Sequence, residues 1–183
     1  MIYSVITQNH STGEICDLQF VDDVTKLPLQ DIEKDEILVD CDEDAWLVRK
    51  QCSTPLAFDK LNLDAILPLQ LYPVIAVDSD ATILMFAYTN KDALQKTIED
   101  GLACYFSRSR NKFWKKGEDS GHTQKIVEIK INQKTGLIIY NVEQNQGACH
   151  TGYYSCFYRK KLKTGFEVIF KEKILKKKKN HCF

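Results

Sequence analysis

The sequence has little of what marks membrane or secreted proteins. Its 183 residues include only 8 glycines and 4 prolines, and no apolar run approaches the roughly 20 residues that a membrane-spanning helix needs. The opening MIYSVITQNHS lacks a basic segment followed by a long apolar stretch, so we expect no signal peptide and a cytoplasmic location. Seven cysteines without an export signal favour reduced thiols or metal ligands over a disulfide framework. Four of them have no spacing that marks them as ligands, namely Cys16, Cys52, Cys104 and Cys182.

An excess of charge of either sign is also absent, since 25 basic residues balance 25 acidic ones. The balance conceals a division, because residues 1–60 carry 13 Asp and Glu against 5 Lys and Arg, whereas the remainder is basic. The Lys-rich end, KEKILKKKKNHCF, is typical either of a solvated terminus or of a segment that binds nucleic acid or acidic lipid. We expect a solvated terminus, with neither nucleic acid nor a membrane as partner.

The order of the patterns predicts an α+β protein that is rich in strands and has one clear helix. No internal repeat of fixed period stands out. The proline-rich region 53–73 is the best boundary, and it suggests an acidic N-terminal segment (1–59), a main domain (60–160) and a basic C-terminal extension (161–183). The strand-like stretches are MIYSVIT, EILVDCDEDAWLVRK, VIAVDSDATILMFAYT with a turn at 78–81, ACYFSRS, QKIVEIKI and GLIIYNVEQ, whereas FEVIFKEKIL reads as either a strand or a helix.

The helix is predicted over NKDALQKTIEDG. Asn90 can cap its start and Gly101 can end it. Ala93, Leu94 and Ile98 provide an apolar face at helical spacing.

A basic stretch, SRSRNKFWKKGEDSGH, covers residues 107–122. Its candidate substrate-binding residues are Arg108, Arg110, Trp114, Lys115, Lys116 and Glu118, with His122 at its end. Cationic side chains beside glycine suit phosphate oxygens, and a tryptophan either stacks on a base or packs in the core. Taken alone, the stretch is a weak signal of binding, since most basic strands and loops of this kind are solvated surface.

A second reactive stretch, GACHTGYYSCF, covers residues 147–157. Cys149 and Cys156 lie seven positions apart, with His150 adjacent to the first of them. Two thiolates that converge here can hold Zn²⁺, which takes nitrogen and sulfur ligands. Two buried thiols are the alternative.

A third feature lies near the N-terminus, where Asp40, Asp42 and Asp44 alternate with Cys41 and a glutamate. On an extended strand the three aspartates share one face and can meet one cation, while Cys41 points to the opposite face. Composition offers another explanation, an acidic turn or interaction patch in a segment that is acidic throughout.

Taken together, AYTNKDALQKTIEDGLACYFSRSRNKFWKKGEDSGHTQKIVEI and VEQNQGACHTGYYSCFYR resemble phosphoribosyl-AMP cyclohydrolases over about residues 60–159. That family belongs to histidine biosynthesis and opens the adenine ring of 1-(5-phosphoribosyl)-AMP between N1 and C6. The resemblance implies a nucleotide substrate, Zn²⁺, Mg²⁺ and a homodimer. It also implies that His122 moves a proton, with a purely structural hydrogen bond as the alternative, and that His150 is a second shuttle or orients a ligand.

The chain departs from the family pattern at one place. In the family, an Asp-Cys-Asp-x-Asp cluster follows the strand that matches QKIVEIKI; its carboxylates hold Mg²⁺, and its Cys joins two cysteines of the dimer partner around zinc. Here residues 132–136 read NQKTG. We hypothesise that residues 40–44 replace the cluster as metal ligands. The alternatives are an inactive nucleotide-binding relative and a hydrolase of another purine nucleotide.

Overall fold

The computed structural model describes residues 1–27 and 34–170. Within them the chain forms one α-helix and two large sheets, so the predicted α+β class with many strands is confirmed. The end of FEVIFKEKIL, the Lys-rich terminus and part of the acidic stretch before β3 lie outside the described residues. None of the helices in the described parts of the chain has the length and apolar character that a membrane crossing needs.

Four strands come from the first fifty residues: β1 (Tyr3–Asn9), β2 (Ile15–Val21), β3 (Glu36–Val39) and β4 (Ala45–Lys50). Strand β1 pairs antiparallel with β2 and parallel with β4, and β3 pairs antiparallel with β4. Strands β12 and β13 extend this sheet to six, in the order β13-β12-β3-β4-β1-β2. Strand β2 is a strand that the sequence patterns did not indicate.

The remaining elements are β5 (Asp59–Lys60), β6 (Tyr72–Val77), β7 (Ile83–Thr89), α1 (Lys91–Asp100), β8 (Cys104–Ser107), β9 (Lys112–Lys115), β10 (Gln124–Ile131), β11 (Ile138–Gln144), β12 (Arg159–Leu162) and β13 (Gly165–Val168). Five of these strands form the second sheet, in the order β5-β10-β11-β6-β7, and β8 and β9 form a separate ribbon. The predicted tight turn between β6 and β7 is confirmed, because the Ala81 N–H donates to the Asp78 carbonyl over 3.2 Å.

Residues 40–44 form the turn between β3 and β4, so the expectation of one extended strand through EILVDCDEDAWLVRK is wrong at its centre. The Asp40 side chain accepts a hydrogen bond from the Asp42 N–H over 3.1 Å, and Glu43 has a positive φ of 62°. Aspartate favours such turns because its short side chain competes for nearby backbone N–H groups. The alternation that suggested a strand thus belongs to a hairpin turn.

Helix α1 has the predicted ends. The Asn90 side chain accepts from the Ala93 N–H over 2.9 Å, and Gly101 ends the helix with a φ of 64°. Its buried face differs from the prediction, because Ile98 is 43% exposed whereas Thr97 is buried. The Thr97 hydroxyl donates to the Ala93 carbonyl over 2.8 Å and also contacts the Cys104 backbone, so a polar group is satisfied where an apolar one was expected.

The two large sheets pack face to face. Their shared core contains Ile6, Leu38 and Leu47 from the six-stranded sheet and Ile75 and Ile139 from the other. Alternate residues of β1 and β4 point to the opposite face, where they form a separate apolar cluster, as the two-residue period of a strand requires. The far face of the five-stranded sheet packs against α1 and β8.

A disulfide joins Cys16 on β2 to Cys52, just beyond β4. The expectation of reduced, unpaired thiols is therefore wrong for this pair. Their partnership depends on the pairing of β1 with both β2 and β4, which brings together residues that are 36 positions apart. Cys104 is a free thiol, as expected, and it is buried.

Candidate active site

One cleft of about 670 Å³ brings the predicted site residues together. This volume suits a nucleotide-sized ligand. The predicted residues that line it are Asp40, Cys41, Asp42, Asp44, Arg108, Arg110, Trp114, Lys115, Lys116, Glu118, His122, Cys149, His150 and Cys156. Residues that are more than a hundred positions apart in sequence, such as Asp40 and Cys156, thus line a single site.

The acidic turn, residues 40–44, forms one end of the cleft. Asp40 is 8% exposed, and its carboxyl donates a hydrogen bond to Asp44. Burial, followed by the negative charges of Asp44 and Asp42, raises the pKa of Asp40 to about 8. Carboxylates held this close repel one another unless a proton or a cation lies between them, and carboxylate oxygens are the ligands that hard divalent cations take. The turn therefore fits a cation such as Mg²⁺.

A thiol cluster, Cys41, Cys149 and Cys156, lies beside the acidic turn. The thiols of Cys156 and Cys41 donate to Cys149, which lowers the pKa of Cys149 and raises the pKa of each donor. The ligand atoms of Cys41, Cys149 and His150 all lie within 4.8 Å of one another, and Cys41 Sγ is 3.7 Å from His150 Nδ1. Thiols and an imidazole at this spacing make a possible metal site of the soft-ligand type.

Local backbone geometry fixes the thiol cluster. The Cys149 N–H donates to the Tyr153 carbonyl over 3.1 Å, and the Cys156 N–H donates to the Leu84 carbonyl over 2.7 Å. Gly147 is required in this loop, because a Cβ there would lie 2.8 Å from the Tyr153 carbonyl oxygen. The loop thus turns back on itself and places both of its cysteines toward β7 and the acidic turn.

His122 is 3% exposed and lines the cleft. Its Nδ1 is 3.2 Å from the Gly147 carbonyl oxygen, whereas its Nε2 has no hydrogen-bond partner among the described residues. Because a carbonyl oxygen only accepts, Nδ1 carries the proton of the neutral ring and Nε2 is left as an acceptor. A buried acceptor without a partner is suited to take a proton from a bound ligand or water.

The basic stretch also lines the cleft and forms its basic wall, in which the cations differ in how many partners they already have. Lys116 is 7% exposed, its Nζ donates to the His122 carbonyl over 3.2 Å, and burial lowers its pKa. Lys115 forms a 2.7 Å ion pair with Asp100, so part of its charge is already matched. The Arg108 guanidinium lies 4.1 Å from the centroid of the Tyr88 ring.

Three other predicted residues shape the mouth of the cleft. Trp114 is half-buried and packs at 5.1 Å between ring centroids against Tyr105, which favours packing over free stacking on a base. Arg110 is exposed, and its Nε donates to the Ser107 hydroxyl over 3.2 Å. Glu118 is exposed at the rim.

Sequence reasoning missed two contributors to the site. The Thr151 hydroxyl lies 2.8 Å from Cys149 Sγ, where it stabilises the thiolate. Arg159 holds the acidic turn in place, because its guanidinium donates to the Asp40 carbonyl and, over 3.1 Å, to the Glu43 carboxylate. Thr151 lies inside the cysteine stretch and Arg159 follows it closely, so their position was the available signal.

Residues 132–136 form the turn between β10 and β11, and none of them, although all are described, lines the cleft. The Asn132 side chain accepts from the Lys134 N–H over 3.1 Å and donates to the Ala57 carbonyl over 2.9 Å. This turn therefore has a structural role in place of the ligands that the family pattern has there.

Comparison with known proteins places this chain among a set of close relatives. The sequence model described as phosphoribosyl-AMP cyclohydrolase matches residues 85–158, a range that includes His122 and two members of the thiol cluster but not the acidic turn. The phosphoribosyl-AMP cyclohydrolase of Leptospira interrogans is 45% identical over 126 residues, which are 68% of this chain and 67% of that protein.

Two further relatives have the same name. One, from Desulforapulum autotrophicum, is 48% identical over 111 residues, which cover 60% of this chain and 89% of that protein. The other, from an Azoarcus species, is 53% identical over 97 residues, which cover 52% of this chain and 74% of that protein. These matches confirm the resemblance that the motifs indicated.

Proposed function

From the premise that the chain belongs to the phosphoribosyl-AMP cyclohydrolase family, we propose that it hydrolyses the N1–C6 bond of 1-(5-phosphoribosyl)-AMP in histidine biosynthesis. The observation that supports this most is the convergence of the acidic turn, the thiol cluster, His122 and the basic wall on one cleft. The substrate has two phosphates and a purine ring, and the cleft offers cations and aromatic side chains for both.

The metals of the proposal are Zn²⁺ at the thiol cluster and Mg²⁺ at the acidic turn. The residues fit them, because the ligand atoms of Cys41, Cys149 and His150 lie within 4.8 Å of one another, hydrogen bonding links Cys156 to Cys149, and the buried Asp40 carboxyl lies beside Asp44. A catalytic zinc site commonly has three protein ligands and one open position, so we assign Cys41, Cys149 and Cys156 as the residues that would hold the ion, with His150 as the neighbouring side chain, since its Nδ1 lies 3.7 Å from Cys41 Sγ. When bound, Zn²⁺ lowers the pKa of the attacking water.

The proposed reaction adds water to C6 of the N1-ribosylated adenine ring. In this scheme His122 Nε2 takes a proton from the water, because it is the buried acceptor that faces the cleft. The Gly147 carbonyl keeps the ring in the tautomer that leaves Nε2 free. As the C6–N1 bond breaks, the proton on His122 is available to N1, so that the ring opens without loss of ammonia.

Lys116 and Arg108 are proposed to bind the phosphates. Burial lowers the pKa of Lys116, and a phosphate dianion beside it would restore the charged form. Arg108 is held over the Tyr88 ring, which leaves its guanidinium edge for a phosphate oxygen. The homodimer that the resemblance implies and the cytoplasmic location expected from the opening residues stay predictions.

Turnover of 1-(5-phosphoribosyl)-AMP by the purified protein, with Zn²⁺ and Mg²⁺ supplied, tests the proposal. Chromatography of the product should show ring opening by the parent protein and its loss in Cys41→Ser and in the triple variant Asp40→Asn/Asp42→Asn/Asp44→Asn. Activity that is indifferent to these changes would exclude the acidic turn as a metal site. Binding without turnover would favour the inactive relative, and turnover confined to other nucleotides in a purine panel would favour the second alternative.

A further inference from the structure

The two large sheets share one strand order. Four strands of the six-stranded sheet run β3-β4-β1-β2, and four of the five-stranded sheet run β10-β11-β6-β7. In both, the two central strands are parallel and each outer strand is antiparallel to its neighbour. We call β1 to β5 the N-terminal repeat, and β6, β7, β10, β11 and β12 the C-terminal repeat.

The registers of the repeats also agree. Ile6 on β1 lies opposite Leu47 on β4, as Ile75 on β6 lies opposite Ile139 on β11. The register of the β1–β2 hairpin shifts between Thr7 and Gln8, and that of the β6–β7 hairpin shifts between Ala76 and Val77. In both hairpins the shift lies between the first and second residues after the central isoleucine, Ile6 or Ile75. An irregularity at equivalent positions is not expected from two unrelated sheets.

The turns that follow β3 and β10 match residue by residue. Val39 pairs with Trp46 on either side of the acidic turn, as Ile131 pairs with Ile138 on either side of residues 132–136. The first side chain of each turn accepts a hydrogen bond from the backbone N–H two residues later, over 3.1 Å in both cases. The acidic turn is therefore the structural counterpart of the turn that has lost the ligands.

The repeats exchange strands. Strand β5 ends the N-terminal repeat but pairs with β10, where Asp59 lies opposite Ile131. Strand β12 ends the C-terminal repeat but pairs with β3, where Arg159 lies opposite Val39. Each repeat thus completes the sheet of the other, and the face-to-face core between them is shared. This arrangement has the twofold character of two intertwined subunits within a single chain.

The chemistry of the repeats is complementary. Cys41 has Gln133 as its counterpart, so the first thiol of the cluster exists only in the N-terminal repeat. Cys156 lies three residues before β12, and its counterpart in the other repeat, three residues before β5, is Leu56. The thiol of Cys156 therefore exists only in the C-terminal repeat. The insertion of α1, β8 and β9, which leads to His122, is likewise confined to the C-terminal repeat among the described residues.

We infer that the N-terminal repeat does the work of a second copy of the chain, so that each chain contains one complete active site in cis and needs no residue from another chain. At the place that corresponds to the active site by the twofold relation, Leu56, Gln133 and Lys134 stand where Cys156, Cys41 and Asp42 stand in the site itself. These three side chains do not provide the ligands that a metal site needs. Any dimer that forms would therefore contain two independent sites. The inference rests on the proposed function only where turnover is the quantity measured.

Thiol cross-linking tests the inference without metal or substrate. In a Cys156→Ser/Cys182→Ser background, Cys41 and Cys149 remain as the thiols of the site, and their sulfur atoms lie within 4.8 Å of each other. Dibromobimane, a short bis-alkylating reagent, should join them within one chain, so that the cross-linked product has the mass of a single chain. Adding Cys41→Ser should abolish the product. A product with the mass of two chains, or no product, would overturn the inference.

Subunit mixing gives a second readout. Cys41→Ser and Cys149→Ser chains are unfolded together, refolded as an equal mixture and assayed for bound zinc and turnover. A site in cis leaves the mixture as deficient as either variant. A site shared across a dimer would restore about a quarter of the parental zinc and turnover, because random pairing gives half heterodimers with one intact site each. Lack of turnover in the parent would refute the proposed function, while the cross-linking result would still decide between cis and trans.

Discussion

Replacing Asp40 with asparagine probes the charge balance of the acidic turn. In the metal-free protein, burial and the nearby Asp44 and Asp42 raise the pKa of Asp40 to about 8 from an ordinary value of 3.8. Between these pH values the folded protein keeps a proton that the unfolded chain releases. The free energy of unfolding therefore falls as pH rises through this window. Asparagine cannot ionise, so the free energy of unfolding of the Asp40→Asn variant should not fall in this way.

The size of the effect follows from the shift. One pKa unit corresponds to about 1.4 kcal/mol, so a rise in the pKa of Asp40 from 3.8 to about 8 sets a ceiling of about 6 kcal/mol on the stability lost once Asp40 is ionised in both states. Relaxation of the turn and entry of water into the cleft reduce the figure. We expect the stability of Asp40→Asn relative to the parent to improve by at least ~2 kcal/mol between about pH 5 and about pH 8.

Urea unfolding of EDTA-treated protein, followed by circular dichroism at both pH values, measures this difference. Glu118→Gln is the matched control, because it removes a carboxylate from the rim of the same cleft. Mg²⁺ added near pH 8 should stabilise the parent more than Asp40→Asn, since the cation relieves the same repulsion. The reasoning would be refuted if the difference in the free energy of unfolding between Asp40→Asn and the parent were the same at both pH values. It would also be refuted if Glu118→Gln changed in stability as much as Asp40→Asn.

Three further predictions concern the residues around the cleft. Arg159→Ala should weaken zinc binding about 10- to 100-fold in a chelator competition, because the acidic turn loses both of its guanidinium contacts. Unchanged zinc affinity would contradict the positioning role of Arg159. Arg159→Lys should recover only part of the zinc affinity. Gly117→Ala should lower kcat with zinc content intact, because the new Cβ would lie 2.6 Å from the His122 backbone. Gly121 has a similar φ but open space around the position of a Cβ, so Gly121→Ala should leave kcat unchanged. Equal effects of the two substitutions on kcat would mean that backbone strain alone is the cause. His122→Gln should lower kcat about 10²- to 10⁴-fold at constant zinc content, and a loss of zinc instead would assign His122 a structural role.

The sequence was most informative where chemistry and local signals coincide. Asn90 and Gly101 fix the ends of α1 through contacts within four residues, and such contacts are legible in a single sequence. Cys149, Cys156 and His122 were identified as site residues through the family resemblance, because the spacing of the two cysteines alone left two buried thiols as an alternative. The prediction of the buried face of α1 failed at Ile98 because burial depends on the ribbon β8–β9 and the sheet below, which no helical pattern specifies.

The internal repeat was invisible in the sequence for two physical reasons. The insertion of α1, β8 and β9 separates the C-terminal hairpins by more residues than the N-terminal ones, so no fixed period exists. Equivalent positions need only keep their apolar or turn-forming character, as Ile6 and Ile75 do, because a sheet core accepts many sequences of similar volume. The Cys16–Cys52 disulfide was missed for a related reason, since its geometry arises only after β1 pairs with both neighbours.

The loss of ligands at 132–136 and their presence at 40–44 are two aspects of one arrangement. A carboxylate cluster at 132–136 would lie beside the backbone of Ala57, and the residue that corresponds there to Cys156 is Leu56, so this part of the described chain offers no equivalent thiol to complete a metal site. The same cluster at 40–44 meets Cys149 and Cys156 in the cleft. Ligands are therefore useful in only one of the two turns, and the other is free to use Asn132 as a backbone anchor. A position-by-position alignment would count the chain as lacking its metal ligands, whereas the exchange of strands between the repeats brings equivalent ligands to the cleft from the other turn.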